Sequence, residues 1–435
     1  MLKQEHGREL SNAGNLKHIG LHAFWGCNKI KDTTIIVPEG LESIGDQAFT
    51  GTPYQYAVFP STIKDMGHGI FYNDERTRLK GVTFPANNPY YSCKDGLLMT
   101  RDGTEAIELL VCRKESVTIP EGVKKIREGA CRMNRICTSL TLPSTLTEIG
   151  NHAFFANNAL PKITFPAGLK TIGHYAFGGI QTRSLELPEG LQSIGEGCFM
   201  HIGPKSGGMD PVVLPSSLTS LPKLAFHWSG LTSIEIPETV TSIGDSVFYY
   251  CQRLTEFNWP TAVPVVPDGA FNFCTSLNKV KLPAGVTEIR ENAFGNCTNL
   301  RTMELPASMR TIAKDAFKNS PYIRELRVAA GWPPALEDLN TFDMDVYRYA
   351  TLYVPEGCES RYKSAKVWEL FYKVVGTPEL GGVDDVVMDS ADGDVRIYNL
   401  SGVKVYEGVR SAMRDLPAGV YIQVGPDGSR RKITL

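Results

Sequence analysis

The chain has 435 residues, of which 42% are hydrophobic, and a formal net charge of −2 at pH 7. The near-neutral charge gives no general electrostatic basis for binding nucleic acid or an anionic membrane surface. No apolar run approaches the roughly 20 residues that a membrane-spanning helix needs. The ten cysteines include no CxxC pair, so the strongest sequence signals for structural zinc and for thioredoxin-like redox chemistry are absent.

An internal repeat runs through most of the chain. Its copies end on a phenylalanine, or once a cysteine, that mostly follows a small residue, and most steps are 22 or 23 residues. Twelve copies end at Phe24, Phe49, Phe71, Cys131, Phe154, Phe177, Phe199, Phe226, Phe248, Phe271, Phe294 and Phe317. A period of this length predicts stacked structural units that share one continuous core.

The unit that ends at Phe294 shows what each position does. Val280 and Leu282 alternate with Lys279 and Lys281, which predicts a strand with one buried face. The proline that follows ends the strand, because it cannot donate a ladder hydrogen bond. One unit cannot bury its own apolar face, but stacked units can, with parallel strands about 4.8 Å apart. We therefore expect a mostly β solenoid.

The pattern LxxIxLPxxLxxIGxxAF resembles the leucine-rich repeat of BspA, a surface protein of Bacteroidetes, over about residues 16–325. The repeat also occurs in Treponema and Trichomonas surface proteins. This resemblance implies a curved, right-handed superhelix of about twelve coils. A parallel sheet is expected on one side and short irregular or strand-like segments on the other.

One step of the repeat, from Pro85 to Pro120, spans 35 residues (120 − 85) and predicts an insert at about 86–119. Apolar strands around Leu97–Met99 and Ile107–Val111 flank RDGT, a turn sequence. The insert resembles the β-hairpin that interrupts related arrays. Its tyrosines, Tyr90 and Tyr91, could form a contact platform or pack on the solenoid, and packing is favoured.

The repeat pattern stops at Leu326, which predicts a solenoid over 1–325 and a C-terminal cap over 326–376. The phrase LYVP…Y…W…F resembles the segment that ends many BspA-like arrays. A helix at about 359–371 is expected, with apolar residues at a spacing of three to four. Trp368 on this helix is interpreted as core of the cap rather than as a ligand platform.

A Gly- and Pro-rich linker at 377–385 precedes a small β module at 386–435. The phrases IYNLSG, LPAGVYI and KITL resemble the type A sorting domain of type IX secretion, which implies export. Residues 1–20 lack the pattern of a signal peptide. We therefore expect either a cytosolic protein or, as the tail favours, a secreted or cell-surface protein whose signal is absent from this chain.

No catalytic motif is present: GxSxG, HExxH and a Walker-type loop are all missing. His152 and His174 lie in adjacent repeats, but no third ligand accompanies them, so a metal site is not expected. The sequence predicts a protein that is not an enzyme and that uses no cofactor.

The solvent side of the strands that precede the prolines is the candidate binding surface, extended by the insert. The alternative is an ordinary solvated sheet face, where threonine is a good strand former. The candidate residues are Tyr56, Tyr90, Tyr91, Glu186, Glu235, Glu256, Lys279 and Lys281.

The function predicted is binding or adhesion to a host or bacterial surface protein or glycan, by a protein expected to be a monomer. BspA-like relatives are adhesins, and the resemblance implies that class without naming a ligand. The alternative is a carbohydrate-binding component of a surface nutrient-uptake system. An exposed aromatic row would favour it, with Tyr54, Tyr56, Tyr90 and Tyr91 as candidates.

Three cysteines, Cys251, Cys274 and Cys297, lie 23 residues apart (274 − 251 and 297 − 274) in one slot of the repeat. Stacking would place one sulfur in each coil. Elsewhere the slot holds small polar or apolar residues, so we predict free, buried thiols rather than a metal triad.

Overall fold

The computed structural model describes residues 15–71, 79–110 and 115–380, and the strand segments 394–399, 404–409, 420–424 and 430–434. It includes a mostly β solenoid of about 15 turns, which confirms the fold class expected from the repeat and exceeds the expected twelve coils.

The first ladder is formed by the strands that precede the repeat prolines and by their continuation toward the C-terminus. Its strands are Thr34–Ile36, Tyr56–Val58, Gly81–Thr83, Ser116–Thr118, Ser139–Thr141, Val212–Val213, Ile234–Glu235, Glu256–Asn258, Lys279–Lys281, Thr302–Leu305, Glu325–Val328, Thr351–Pro355 and Lys373–Thr377. The described strands form five short sheets in which neighbours pair in parallel, as where Glu256 pairs with Lys279 and Phe257 with Val280. Exposed and buried residues alternate along Lys279–Lys281 as predicted.

The second ladder lies on the other side of the coil and ends at the isoleucine of each Ile-Gly pair or its equivalent. Its strands are His18–Ile19, Ser43–Ile44, Asp65–Met66, Lys125–Ile126, Glu148–Ile149, Thr171–Ile172, Ser193–Ile194, Ser220–Leu221, Ser242–Ile243, Val265–Val266, Glu288–Ile289, Thr311–Ile312 and Ala335–Leu336. These pair in parallel too, as where Ile172 pairs with Ile194. The segments expected to be irregular or strand-like are therefore short strands.

Between the ladders, the repeat phenylalanines stack ring on ring along the solenoid axis. Phe271 is fully buried, with its ring centroid 5.5 Å from that of Phe248 and 5.3 Å from that of Phe294. Its backbone N–H donates to the carbonyl of Ala293 in the next coil at 2.8 Å. Burying one such ring contributes about 1.5–3 kcal/mol, so this inner column is a main source of stability.

The predicted free thiols are confirmed for Cys251, Cys274 and Cys297, which are buried and form no disulfide. Each thiol lies within hydrogen-bonding distance of a carbonyl in the preceding coil. Cys274 Sγ, for example, is 3.1 Å from the oxygen of Phe248. Ser320 fills the same slot and donates to Phe294 in the same way. The slot accepts a side chain that donates to the neighbouring coil, but it does not require one, because Ile180 and Ile202 are also buried there.

Adjacent coils approach each other closely at the Ile-Gly turns. A Cβ on Gly195 would lie 2.3 Å from the backbone nitrogen of His174 in the preceding coil, so a larger residue cannot fit without a backbone shift. Gly20 occupies the same repeat position in the first described coil, and a Cβ there would meet nothing within 4 Å.

The insert forms three antiparallel strands, Tyr91–Lys94, Leu97–Thr100 and Glu105–Leu109, where two were expected. The predicted RDGT turn is present: Asp102 Oδ1 accepts from the backbone N–H and hydroxyl of Thr104. The last strand pairs in parallel with Lys125–Ile126. The insert is thus built into the second ladder, and the end of its predicted second strand, Val111, lies outside the described residues.

Glu108 on this last strand is a buried carboxyl group. Its Oε2 accepts a hydrogen bond from the backbone N–H of Ile70 at 3.0 Å, and the N–H of Phe71 also faces it. The N–H of Phe49, one coil earlier, donates to a carbonyl of the following coil instead. Glu108 therefore supplies an acceptor where the insert interrupts the regular coils. Burial raises its pKa from 4.5 to about 7.

The two ladders continue beyond Leu326, where the repeat pattern stops. The predicted helix at 359–371 is wrong in length: α2 covers Glu359–Ser364, and a 3-10 turn covers Trp368–Leu370. Val367 separates them with a φ of 69°, which a helix cannot contain.

Trp368 is buried, as predicted for the cap, and its Nε1 donates to the carbonyl of Pro334 at 2.7 Å. A further helix, α1 (Met344–Tyr349), was not foreseen, and 3-10 turns cover Leu339–Thr341 and Pro378–Leu380.

The last described segments form a four-stranded antiparallel sheet. Its strands are Asp394–Asn399, Lys404–Val409, Val420–Val424 and Arg430–Thr434, with the second at one edge beside the first, followed by the third and fourth. Most of the linker at 377–385, the Ser401-Gly402 turn and the segment 416–419 lie outside the described residues.

Candidate binding surfaces

Six of the eight predicted site residues are exposed, five on strands of the first ladder and Glu186 in the equivalent segment of a coil that has no assigned strand there. They are Tyr56, Glu186, Glu235, Glu256, Lys279 and Lys281. Because Glu256 and Lys279 are partners in the ladder register, opposite charges lie side by side there. This face is polar and mixed in charge, as a solvated sheet face also is.

Tyr91 packs on the solenoid, the alternative favoured from the sequence: it is buried and donates its hydroxyl to the carbonyl of Lys64 at 3.1 Å. Its place among the candidate surface residues is therefore wrong. Asn88 Oδ1 accepts from the backbone N–H groups of both Tyr90 and Tyr91, and this turn sends only Tyr90 outward. Tyr54 is buried as well. The aromatic row that would have favoured the carbohydrate-uptake alternative is therefore not formed by these four tyrosines.

Among the described residues, no group of three or more His, Cys, Asp or Glu could hold a metal ion. His152 and His174 meet through the backbone, where the N–H of His152 donates to the carbonyl of His174. The His152 ring instead stacks on Tyr175, with centroids 5.3 Å apart. His174 Nδ1 accepts from the backbone N–H of Glu196.

A groove of about 820 Å³ follows the second ladder between Glu105 and Lys223. Arg127 Nε lies 2.7 Å from Glu105 Oε2, and Lys125 Nζ lies 2.7 Å from Glu148 Oε1. These charged side chains neutralise one another across neighbouring coils. The groove lining combines polar and apolar surface in about equal parts, and these pairs leave no concentration of one sign of charge.

A second row of rings lies on the outside of the solenoid, and we call it the aromatic ridge. It consists of His201, His227, Trp228, Tyr249, Tyr250 and Phe273, which lie one or two positions after the repeat phenylalanine in four consecutive coils. The ring centroid of Trp228 lies 4.0 Å from that of Tyr250 and 5.2 Å from that of His201, all stacked. His227 stacks on Tyr249 at 5.0 Å.

The ridge contains a run of left-handed residues. The position two residues after the repeat phenylalanine has a positive φ in each coil of the ridge: His201 53°, Trp228 55°, Tyr250 63° and Phe273 61°. Gly26, Gly51, Met133, Ala156, Gly179, Asn296 and Asn319 occupy the same slot elsewhere, also with positive φ. A left-handed conformation costs a residue with a Cβ roughly 1–2 kcal/mol. The fold therefore requires the backbone angle, but it does not require an aromatic side chain.

The ridge is uncharged. Its positions after the repeat phenylalanines hold imidazole, indole, phenol and phenyl groups, with Met200 and Asn272 completing the eight slots. Burial lowers the pKa of His201 and His227, which favours neutral imidazoles at neutral pH. Trp228 remains 48% exposed.

Sequence reasoning missed the ridge, although its signal is visible. The phrases FMH, FHW, FYY and FNF begin at the repeat phenylalanines of successive coils. These phrases stand out only once their third residue is known to have a left-handed φ. In the sequence, the glycines and asparagines at the equivalent slot of other coils were the sign of that angle.

The stacked coils, the paired ladders and the inner phenylalanine column define a leucine-rich repeat solenoid. Residues 8–93, 110–206 and 205–324 match the BspA type leucine rich repeat region. The chain therefore belongs to the BspA-type leucine-rich repeat family, as the resemblance over 16–325 predicted. No curated protein sequence matches the chain.

A solved leucine-rich repeat protein from Bacteroides ovatus is similar, with a TM-score of 0.54, 22% identity and coverage of 83% of this chain and 87% of that protein. A leucine rich cell surface protein from Faecalibacterium prausnitzii matches with a TM-score of 0.41, 20% identity and coverage of 68% and 88%. A T. pallidum leucine rich repeat protein matches with a TM-score of 0.34, 25% identity and coverage of 50% and 89%. The first similarity shows the fold.

Proposed function

We propose that this protein is an exported or cell-surface, non-enzymatic leucine-rich repeat protein that binds a protein or glycan of another surface through the outside of its solenoid. Membership of the BspA-type family supports this class of function. In the described part of the chain, no helix is long and apolar enough to cross a membrane.

The aromatic ridge is the observation that carries the proposal. At each of four successive coils, an aromatic or imidazole side chain occupies a left-handed slot. The same slot is left-handed in coils outside the ridge, so the angle belongs to the repeat, and the row of aromatic side chains is what distinguishes these four coils. Exposed Trp and Tyr are also the residues most enriched at binding hot spots. A row of partly exposed rings at a slot that other coils fill with glycine, alanine or asparagine is best explained by binding.

Export is supported by the resemblance of residues 386–435 to a type A sorting domain. We propose the division deduced from the sequence: a solenoid at 1–325, a cap at 326–376, a linker at 377–385 and a small β module at 386–435. Deleting 386–435 should abolish export from a host that has type IX secretion, while the cytoplasmic level of the protein persists. Unchanged export would contradict the assignment.

Binding is tested with the full chain on arrays of purified matrix proteins and of glycans. We expect saturable binding to at least one class, weakened by the double substitution Trp228→Gly with Tyr250→Gly. The matched control is Trp25→Ser, which removes a 62% exposed indole directly after Phe24, outside the ridge. Absence of binding, or equal weakening by the control, would contradict the proposal.

A further inference from the structure

We propose that the partner of the aromatic ridge is a protein that presents an uncharged, apolar segment, and not a glycan. This inference rests on the proposed function, since it names the kind of ligand that the ridge takes. Three properties of the ridge carry it: the direction of its rings, its rigidity and its lack of charge.

The faces of the ridge rings are covered by one another. Trp228 has Tyr250 stacked on one side at 4.0 Å and His201 stacked at 5.2 Å, with interplanar angles of 25° and 22°. Tyr250 is followed by Phe273 at 5.2 Å. A sugar ring binds an aromatic side chain by laying its C–H groups on an open ring face. The central rings of this ridge offer edges to solvent, so they lack the platform that a glycan chain requires.

Ring edges suit a protein surface. The edge of an aromatic ring carries the positive part of its quadrupole and favours edge-to-face contact with another ring. The indole N–H, phenol O–H and imidazole nitrogens can exchange hydrogen bonds with backbone groups. Apolar C–H edges combined with such groups match a peptide chain that carries aromatic or aliphatic side chains.

The ridge is rigid before binding. The backbone N–H of Trp228 donates to the carbonyl of Tyr249 in the next coil at 2.7 Å, and that of Tyr250 donates to Asn272 at 2.8 Å. Stacked rings on a backbone held in this way lose little conformational entropy when a partner binds. Three intervals of about 4.8 Å make a ridge about 15 Å long, the length of about four or five residues of extended chain.

The lack of charge restricts the partner further. None of the eight slots that form the ridge holds Lys, Arg, Asp or Glu. A charged partner would have its own charged groups desolvated against neutral rings, which is unfavourable. A neutral, apolar segment avoids this cost, and its binding should change little with salt, because screening acts on charges.

The test uses the full chain as bait for random peptides displayed on phage and, in parallel, for a glycan array. We expect the selected peptides to be rich in aromatic and aliphatic residues and poor in charge. A synthetic copy of one such peptide should bind the Trp228→Gly, Tyr250→Gly variant at least about tenfold more weakly, equivalent to about 1.4 kcal/mol. Trp25→Ser should leave its affinity unchanged.

The outcomes separate this inference from the proposed function. Glycan binding that depends on the ridge would overturn the protein partner and leave the proposed function intact. Selection of charged peptides with strongly salt-dependent affinity would overturn the uncharged, apolar segment and would also leave the proposed function intact. Self-association of the full chain that the variant abolishes would replace the partner with a second copy. Ridge-independent binding, or none to either library, would contradict both. Thermal unfolding of each variant checks that it is folded.

Discussion

The inner column and the aromatic ridge are two rows of stacked rings separated by two residues of sequence. Phe271 belongs to the first and Phe273 to the second. In the column, the rings are both stacked and buried, and the phenylalanines that carry them have no left-handed backbone angle. In the ridge, the rings stack on a backbone that glycine or asparagine would adopt at less cost. The comparison shows that repeated stacking alone does not identify a core, because the rings of one row are buried between the ladders and those of the other lie on the outside of the solenoid.

The largest expected effect is a difference between two phenylalanines of one coil. Phe271→Ala should lower the free energy of unfolding by about 3–5 kcal/mol, because it opens a cavity in the inner column. Phe273→Ala, the matched control, should cost less than about 1 kcal/mol, because it removes a partly exposed ring. Urea denaturation followed by circular dichroism measures both. Equal losses would contradict the distinction between column and ridge.

The second prediction concerns the buried carboxyl group of Glu108, where the insert interrupts the coils, and its effect on stability as the pH changes. Its pKa is raised from 4.5 to about 7 on folding, so the folded state holds this proton more tightly than the unfolded state. The resulting stability is present below about pH 4.5 and is lost as the pH rises to about 7. Between pH 4.5 and 7, the free energy of unfolding of the wild type should fall by about 3 kcal/mol more than that of Glu108→Gln.

Urea denaturation at a series of pH values measures this difference. Glu105→Gln is the control, because that carboxylate lies at the surface on the same strand and pairs with Arg127. A wild type and a Glu108→Gln variant with parallel pH profiles would rule out the buried proton.

A smaller effect is expected at the Ile-Gly turns, where the backbones of neighbouring coils lie close together. Gly195→Ala should destabilise the protein by about 1–3 kcal/mol, because the added Cβ would overlap the backbone of His174. Gly20→Ala occupies the same repeat position with open space around it and should be nearly neutral. Thermal unfolding compares the two, and a neutral Gly195→Ala would show that the coils separate easily.

The smallest effect is expected in the ridge itself. Trp228→Gly should change the free energy of unfolding by less than about 1 kcal/mol, because relief of left-handed strain offsets lost stacking and the greater freedom of the unfolded chain. Gly179 already fills this slot in another coil. Urea denaturation measures the change. A loss of unfolding free energy as large as that of Phe271→Ala would show that the ridge stabilises the fold as the inner column does.

Most of the fold could be predicted because its determinants repeat. The alternation at Lys279–Lys281, the buried cysteine slot and the Asp102 turn each follow from local residue types, and the family match covers the predicted array. The helix at 359–371 was overestimated, because the break at Val367 carries no glycine or proline signal. The continuation of the ladders past Leu326 was missed, because the connecting segments change length there while the strands keep their register.

The candidate site was less predictable than the fold. Tyr90 and Tyr91 are adjacent in sequence, and the hydrogen bonds of Asn88 decide which of them is buried. The ridge residues were passed over because FHW or FYY looks like ordinary variation within a repeat.

The sequence by itself determined the phase of the coil, the buried column and the class of protein, because each coil must bury the same positions against its neighbours. Only the tertiary structure decided which exposed rings form a surface. That outcome depends on a left-handed slot and on the distance between coils, and neither quantity is written in the residue types of a single repeat. The row of Trp228, Tyr250 and Phe273 exists because stacking brings together side chains that are 22 or 23 residues apart (250 − 228 and 273 − 250).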